Sequence, residues 1–166
     1  MAPPRLLVLA RHAKSSWKTN DPDVARPLSG RGTRDGVVAG ATLANLDIDL
    51  ALVSPATRAR QTWQCHQMGG ATAADVRQVD ELYYGDLDDV LAILRELPDS
   101  ARTVLVIGHE PLISDLALTV SKPNKLTRAI ERKFPTSAIA ALAHQGSWSD
   151  LDHGVSRLAA FEIPRG

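Results

Sequence analysis

Only one cysteine, Cys65, stands in this chain of 166 residues. An internal disulfide is thereby excluded, and no cysteine cluster offers a zinc site, which points to a reducing compartment. An excess of charge is missing too, since 19 basic and 19 acidic residues give a formal net charge of zero. Nothing global therefore argues for nucleic acid or an anionic membrane as partner, and any basic site must be local. The first apolar run, Leu6 to Ala10, is cut off by Arg11 and is too short for a signal-peptide core or a membrane span. No glycine-rich loop ending in Lys-Ser or Lys-Thr is present, which argues against nucleotide hydrolysis at a P-loop. No cysteine precedes a loop ending in arginine of the kind thiolate chemistry on phosphate uses. Internal repeats, low-complexity tracts and interdomain linkers are also lacking. The expectation is one α/β domain over residues 1–166, soluble, cytoplasmic, and free of metal and cofactor.

What is present is a repeated grammar of apolar strands that end abruptly on chemistry. Leu6-Leu7-Val8-Leu9-Ala10 runs into Arg11-His12-Ala13-Lys14. Leu50-Ala51-Leu52-Val53 runs into Ser54-Pro55-Ala56-Thr57-Arg58, and Val104-Leu105-Val106-Ile107 into Gly108-His109-Glu110-Pro111. Runs this apolar suit inner strands buried on both faces. Charged residues at their last rungs must then lie at the sheet edge, where ligands of open α/β sheets bind. Right-handed βαβ connections make such strands parallel and bring their C-terminal ends together.

Between these strands the turn-rich stretch Ser15 to Pro27 reads as a loop across the mouth of that edge. Ser29 is a candidate N-cap for a helix through about Asn45. Ser54 and Pro55 read as N-cap and N1 of a second helix, which Gly69-Gly70 closes. Helical spacing aligns Arg58 with Thr62 and Cys65, and Arg60 with Gln64 and Gln67. Arg58 is therefore assigned to the site and Arg60 to its rim or to solvent. Asp75 to Val79 predicts a short edge strand, Asp80 to Gly85 an irregular acidic and aromatic loop, and Asp86 to Leu97 a helix with acidic residues in its first turn. Pro111 fits N1 of a further helix. The basic stretch Ser121 to Pro135 reads as a solvated face, with a partner-docking patch as the alternative. Ala138 to Ala143 and Ser156 to Phe161 read as strands close enough to pair antiparallel. His66, His144 and His153 lack a strand-end setting and are taken as ordinary core or surface residues.

Two arginines and two imidazoles converging on one edge suit a phosphoryl group, because guanidinium forks match phosphate oxygens and never lose their charge. Without a metal, those cations must stabilise the charge on the transferring group. A neutral imidazole nitrogen can attack phosphorus and split one hard displacement into two easier ones. Arg11 and Arg58 are expected to keep that imidazole unprotonated in the free protein.

Arg11-His12-Ala13, Ser54-Pro55-Ala56-Thr57-Arg58-Ala59-Arg60-Gln61-Thr62 and Gly108-His109 together resemble the signature of the histidine phosphatase superfamily. Arg11 to Trp17, Arg26-Pro27-Leu28-Ser29, Gly108 to Pro111 and Lys133-Phe134-Pro135-Thr136 resemble its small SixA-type phosphohistidine phosphatase branch. In the wider superfamily the first strand usually ends Arg-His-Gly, and Ala13 at that place points to the SixA-type branch. The resemblance implies a phosphoglycerate mutase-like three-layer α/β/α sandwich, a mostly parallel sheet of about five to six strands with an antiparallel edge. It implies His12 as nucleophile, with Arg11, Arg58 and His109 completing the phosphate pocket. Ser15 occupies the place of a substrate-contacting serine in the larger mutases. Their asparagine further along is replaced by Lys18, which counts against mutase chemistry; Ser15 and Lys18 are the expected substrate contacts. Glu81-Leu82-Tyr83-Tyr84-Gly85 resembles the mutase segment whose glutamate protonates the leaving oxygen, an acid that SixA-type enzymes commonly lack. Glu81 is thus either a general acid or a solvated loop residue. The short chain leaves no room for a lid, so the expected substrate is a phosphohistidine on a partner protein, a histidine-phosphotransfer domain among the candidates. A small phosphoester is the alternative substrate, and a phosphate-binding module without turnover the alternative function.

Overall fold

Arg5–Arg11 form the strand that the apolar run predicts, here β1, and its side chains alternate between two cores. Leu7 and Leu9 face one side of the sheet, Val8 and Ala10 the other, and all four are buried. The computed structural model describes residues 2–166. The other strands are β2 (Ile48–Val53), β3 (Ala73–Gln78), β4 (Thr103–Gly108), β5 (Ile139–His144) and β6 (Arg157–Glu162). They form one six-stranded sheet in the order β3-β2-β4-β1-β5-β6. β3, β2, β4 and β1 run parallel, while β5 pairs antiparallel with both β1 and β6. The antiparallel edge is thus the one the closely spaced last two strands predict.

Helices α1 (Gly30–Leu43) and α2 (Thr57–Met68) cover one face, contributing Ala39, Leu43, Ala59 and Trp63 to the core with Val8 and Val53. A single turn, α3 (Glu81–Tyr84), precedes α4 (Leu87–Arg95), α5 (Leu112–Val120) and α6 (Lys125–Arg132). These supply Leu82, Val90, Leu91, Leu94, Ile113, Leu116 and Ile130 to the opposite core. Two cores sharing one sheet make the three-layer arrangement. Among the described residues no helix is long and apolar enough to cross a membrane.

Ser29 caps α1 as expected, its hydroxyl accepting from Gly32 N at 3.1 Å. Two local expectations are corrected. Ser54 does not cap α2: Ala56 holds that position, and the Ser54 hydroxyl is engaged elsewhere. The segment read as an irregular loop at Asp80 to Gly85 contains α3. The basic stretch, read as a solvated face, carries α6, started by a reciprocal cap in which the Asn124 and Thr127 side chains each accept from the other's backbone N–H. Its basic residues Lys122, Lys125, Arg128, Arg132 and Lys133 are not buried.

Helices α1 and α2 approach backbone to backbone. A Cβ on Gly40 would overlap the His66 carbonyl, and one on Gly36 would press on Cys65. Gly40→Ala should therefore lower stability by about 3 kcal/mol, since main chain cannot yield as a side chain would. A denaturant midpoint equal to wild type would contradict this close contact.

Candidate active site

The parallel register sets three strand ends side by side. Arg11 pairs with Gly108, His12 N donates to the Gly108 carbonyl at 3.0 Å, and Ser54 N donates to the Ile107 carbonyl at 3.1 Å. The segments leaving these three strands are thereby gathered around one cavity of about 330 Å³. Arg11, His12, Ser15, Arg58 and His109 all line it, together with Lys14, Trp17, Arg26, Glu110 and Thr136. The imidazoles of His12 and His109 lie 5.1 Å apart between ring centroids. Arg58 sits in the first turn of α2, buried, whereas Arg60 is exposed.

His12 is held by its own backbone surroundings. Its Nδ1 lies 2.7 Å from the Ala13 carbonyl oxygen. A carbonyl can only accept, so Nδ1 carries the proton and Nε2 keeps its lone pair. Ala13 is fixed in turn: its N–H donates to Thr62 Oγ1 at 2.9 Å, and that hydroxyl donates to the Arg58 carbonyl at 2.7 Å. The predicted alignment of Arg58 with Thr62 thus ties α2 to the histidine loop. Burial pushes the His12 pKa down to about 3, with His109, Arg58 and Arg11 adding smaller repulsions. The imidazole is neutral as expected, but desolvation outranks the arginines as its cause. His109 is likewise lowered to about 4 by burial, then by Arg58.

Three buried donor-capable nitrogens in this cluster have no partner in the protein: Arg11 Nε, Arg58 Nε and His109 Nδ1. A buried polar group left unpaired costs about 1–3 kcal/mol, more when charged. Three such groups on the residues lining one cavity mark a place for an anionic acceptor. Arg11 is otherwise anchored by donating from Nη1 to the Phe134 carbonyl at 3.0 Å, within the Lys133-Phe134-Pro135-Thr136 segment.

Sequence reasoning missed the clamp on Arg58. Its Nη1 donates to the Asp23 carbonyl at 2.7 Å and its Nη2 to Asp23 Oδ2 at 3.1 Å. Asp23 Oδ2 also accepts from the Tyr83 hydroxyl at 2.6 Å, and Oδ1 from Arg26 Nε at 3.2 Å. Tyr83, then Arg58 and Arg26, hold the Asp23 carboxyl at about 2, so it stays ionised at any working pH. Arg26 also donates to Ser15 Oγ and the Ser16 carbonyl, both at 3.0 Å, and stacks 3.5 Å over the Trp17 ring. The loop across the mouth is thus stitched to α2 and α3 by one carboxylate. Asp23→Ala should lower kcat/KM by about ten- to a hundredfold, as loss of positioning does, with Asp23→Asn falling less. Turnover equal to wild type in the alanine variant would show that Arg58 needs no clamp.

The remaining predicted residues lie further out. Lys18 is exposed and borders a neighbouring groove with Lys14 and Trp17. Glu81 is exposed on α3 and does not line the cavity. The carboxylate that does line it, Glu110, accepts from the Ser114 N–H at 2.8 Å and the Ser114 hydroxyl at 2.6 Å. Among the described residues no cluster of histidine, cysteine and carboxylates could hold a metal ion.

Comparison with known proteins agrees with this arrangement. The family model of the histidine phosphatase superfamily, branch 1, matches residues 7–149. An uncharacterised protein of Mycobacterium tuberculosis is 39% identical over 161 residues, covering 93% of this chain and 99% of the relative. Among solved structures, a protein of Nakamurella multipartitia assigned as the phosphohistidine phosphatase SixA superposes with a TM-score of 0.84 at 32% identity, covering 98% of each chain. A protein histidine phosphatase SixA complexed with tungstate superposes with a TM-score of 0.80 at 26% identity, covering 96% of this chain and 97% of that one. With its fold, its cavity and these likenesses taken together, the chain belongs to branch 1 of the histidine phosphatase superfamily, is of the SixA type, and is a phosphatase.

Proposed function

We propose that this phosphatase works without a metal and removes the phosphoryl group from phosphohistidine on a partner protein, through a phosphohistidine intermediate on His12. The observation that carries the reading is the pairing of a lone-pair Nε2 on His12 with three buried, unpartnered nitrogens of Arg11, Arg58 and His109, residues that line the same cavity. His12 Nε2 attacks phosphorus, a new N–P bond forms, and the N–P bond to the substrate imidazole breaks. Nδ1–H, held by the Ala13 carbonyl, keeps the attacking tautomer and stabilises the positive charge that grows on the ring. Arg11 and Arg58 meet the charge on the phosphoryl oxygens in both steps. Water then attacks the phosphohistidine, the His12 N–P bond breaks, and orthophosphate leaves.

A tetrahedral oxyanion is the ligand that such a cavity accommodates, in keeping with the tungstate complex of the SixA relative. A phosphorylated imidazole is a better leaving group than an alkoxide once its ring is protonated, so no strong acid is required beside it. This fits Glu81 lying off the cavity and Glu110 being engaged by Ser114. The cavity, lined by Trp17 with Lys14 and Ser15 and adjoined by a groove that Lys18 borders, suits a side chain presented by another protein.

The test is substrate profiling with chelator present, using a phosphohistidine protein and a panel of sugar phosphates, with His12→Ala as blank. The reading predicts turnover of the phosphohistidine protein that chelator leaves intact. Hydrolysis confined to sugar phosphates would replace it with a small-molecule activity. Glu81→Gln should leave phosphohistidine hydrolysis within about twofold of wild type, since a residue outside the reacting groups has no proton to supply. A large loss restricted to phosphomonoesters would instead assign Glu81 as a general acid.

A further inference from the structure

Ser54 looks like a helix cap in the sequence and is not one. It stands at the end of β2 fully buried, with its Oγ 2.7 Å from Nε2 of His109, a residue 55 positions away in the chain. The same Oγ accepts from the Ala56 N–H at 3.2 Å. An amide can only donate, so that contact uses an oxygen lone pair and leaves the hydroxyl proton free to point at Nε2. The other ring nitrogen, Nδ1, is buried without a protein partner, and the ring lines the phosphate cavity.

A neutral imidazole has one N–H, and its position is set by the bond its other nitrogen makes. With the proton on Nε2, Nδ1 would turn a lone pair toward a bound anion, and the two would repel. With the proton on Nδ1, the ring offers the phosphoryl oxygens an N–H donor. The serine hydroxyl can favour only the second arrangement by donating, and its geometry leaves it free to donate. We infer that Ser54 is a positioning residue that donates to His109 Nε2, fixes the Nδ1–H tautomer, and so converts His109 into a neutral donor to the transferring phosphoryl group. The inference rests on the proposed function above, for it takes the cavity to hold that group.

This role differs from simple packing. Arg11 and Arg58 supply full charges that meet the phosphoryl oxygens throughout the reaction. A neutral donor aimed at one oxygen contributes direction, and it does not compete with the arginines for solvation. Losing one such donor typically lowers kcat by about a hundred- to a thousandfold. Losing only its orientation should cost less, because the ring remains in place.

The experiment is a long-range ¹⁵N–¹H correlation spectrum of the imidazoles at pH 7, recorded on wild type, Ser54→Ala and Ser54→Thr, alongside kcat and KM. The wild-type His109 should show a protonated Nδ1 and an unprotonated, hydrogen-bond-accepting Nε2. Ser54→Ala should shift His109 toward the Nε2–H form, leave the His12 tautomer unchanged, and lower kcat about tenfold or more with little change in KM. Ser54→Thr, which keeps the hydroxyl, should retain the wild-type tautomer and most of kcat. An Nε2–H form in active wild-type protein overturns the inference and leaves the phosphatase reading intact, and this spectrum decides even if the alanine variant fails to fold. Full kcat in a folded Ser54→Ala variant overturns it as well. A wild-type protein inactive on every phosphorylated substrate overturns the reading of the cavity, and this role falls with it.

Discussion

Alanine at position 12 should lower turnover of a phosphohistidine substrate by about four to six orders of magnitude, the scale on which loss of a covalent nucleophile acts. No other imidazole is placed to take over. His109 faces the same cavity but has its Nε2 against the Ser54 hydroxyl, and His66, His144 and His153 do not line the cavity. The fold should be unaffected, because the contacts that hold the loop after β1 are made by the backbone of His12 and Ala13. Phosphate should therefore still bind to the variant, through Arg11, Arg58 and His109, while the covalent intermediate disappears. A His12→Ala protein that turns over at about a tenth of the wild-type rate would show that water attacks the substrate directly and that the imidazole is an accessory.

The second large effect concerns acid. Three histidines are neutral in the native state, His12 and His66 buried and His109 partly so: His12 has a pKa of about 3, and His66 and His109 of about 4. His66 is wholly buried and neither of its ring nitrogens has a partner. In the unfolded chain all three return to about 6.5. Between those values the unfolded state binds protons that the native state refuses, so stability is complete above about pH 6.5 and is lost as pH falls toward about 4. Each histidine removes about 1.4 kcal/mol per pH unit within that window. Summed over the three, the fall from about pH 7 to about pH 5 is about 5 kcal/mol, comparable with the whole stability of many domains. Denaturant unfolding at the two pH values measures it directly. His66→Leu should weaken the dependence without touching the site, whereas a stability that is flat across this range would contradict the neutral native state of all three.

These two effects arise from features of different visibility in the sequence. The strand ends are legible because apolar runs that stop on Arg-His or Gly-His must leave the charge at an edge, and the parallel register of β2, β4 and β1 then brings the ends together. Ser29 is legible as a cap because its hydroxyl serves the next helix along the chain. Ser54 misleads for a physical reason: Ser-Pro before a helix carries the same local signal whether the hydroxyl turns to the helix or to a histidine on another strand. The Asp23 clamp has no local signal at all, for its partners Arg58 and Tyr83 lie 35 and 60 residues away. Helix α6 is hidden by its polarity, since only Thr127 and Ile130 are buried along it. The neighbouring arginines predict a neutral His12, yet the main cause of that state is burial, which depends on packing that no spacing reveals. Local patterns thus locate the strand-end residues that line the cavity, while the groups that orient them come into view only with tertiary contacts.

The central claim is that His12 attacks through Nε2, and trapping the intermediate tests it most directly. Brief exposure to a ³²P-labelled phosphohistidine protein, then a denaturing alkaline quench that preserves N–P bonds, should leave label on the chain. Peptide mapping and ³¹P spectroscopy should place it on His12 at Nε2, the nitrogen left free by the Nδ1 contact with the Ala13 carbonyl. Label on Nδ1, on another residue, or absent from an enzyme that is turning over would contradict the account.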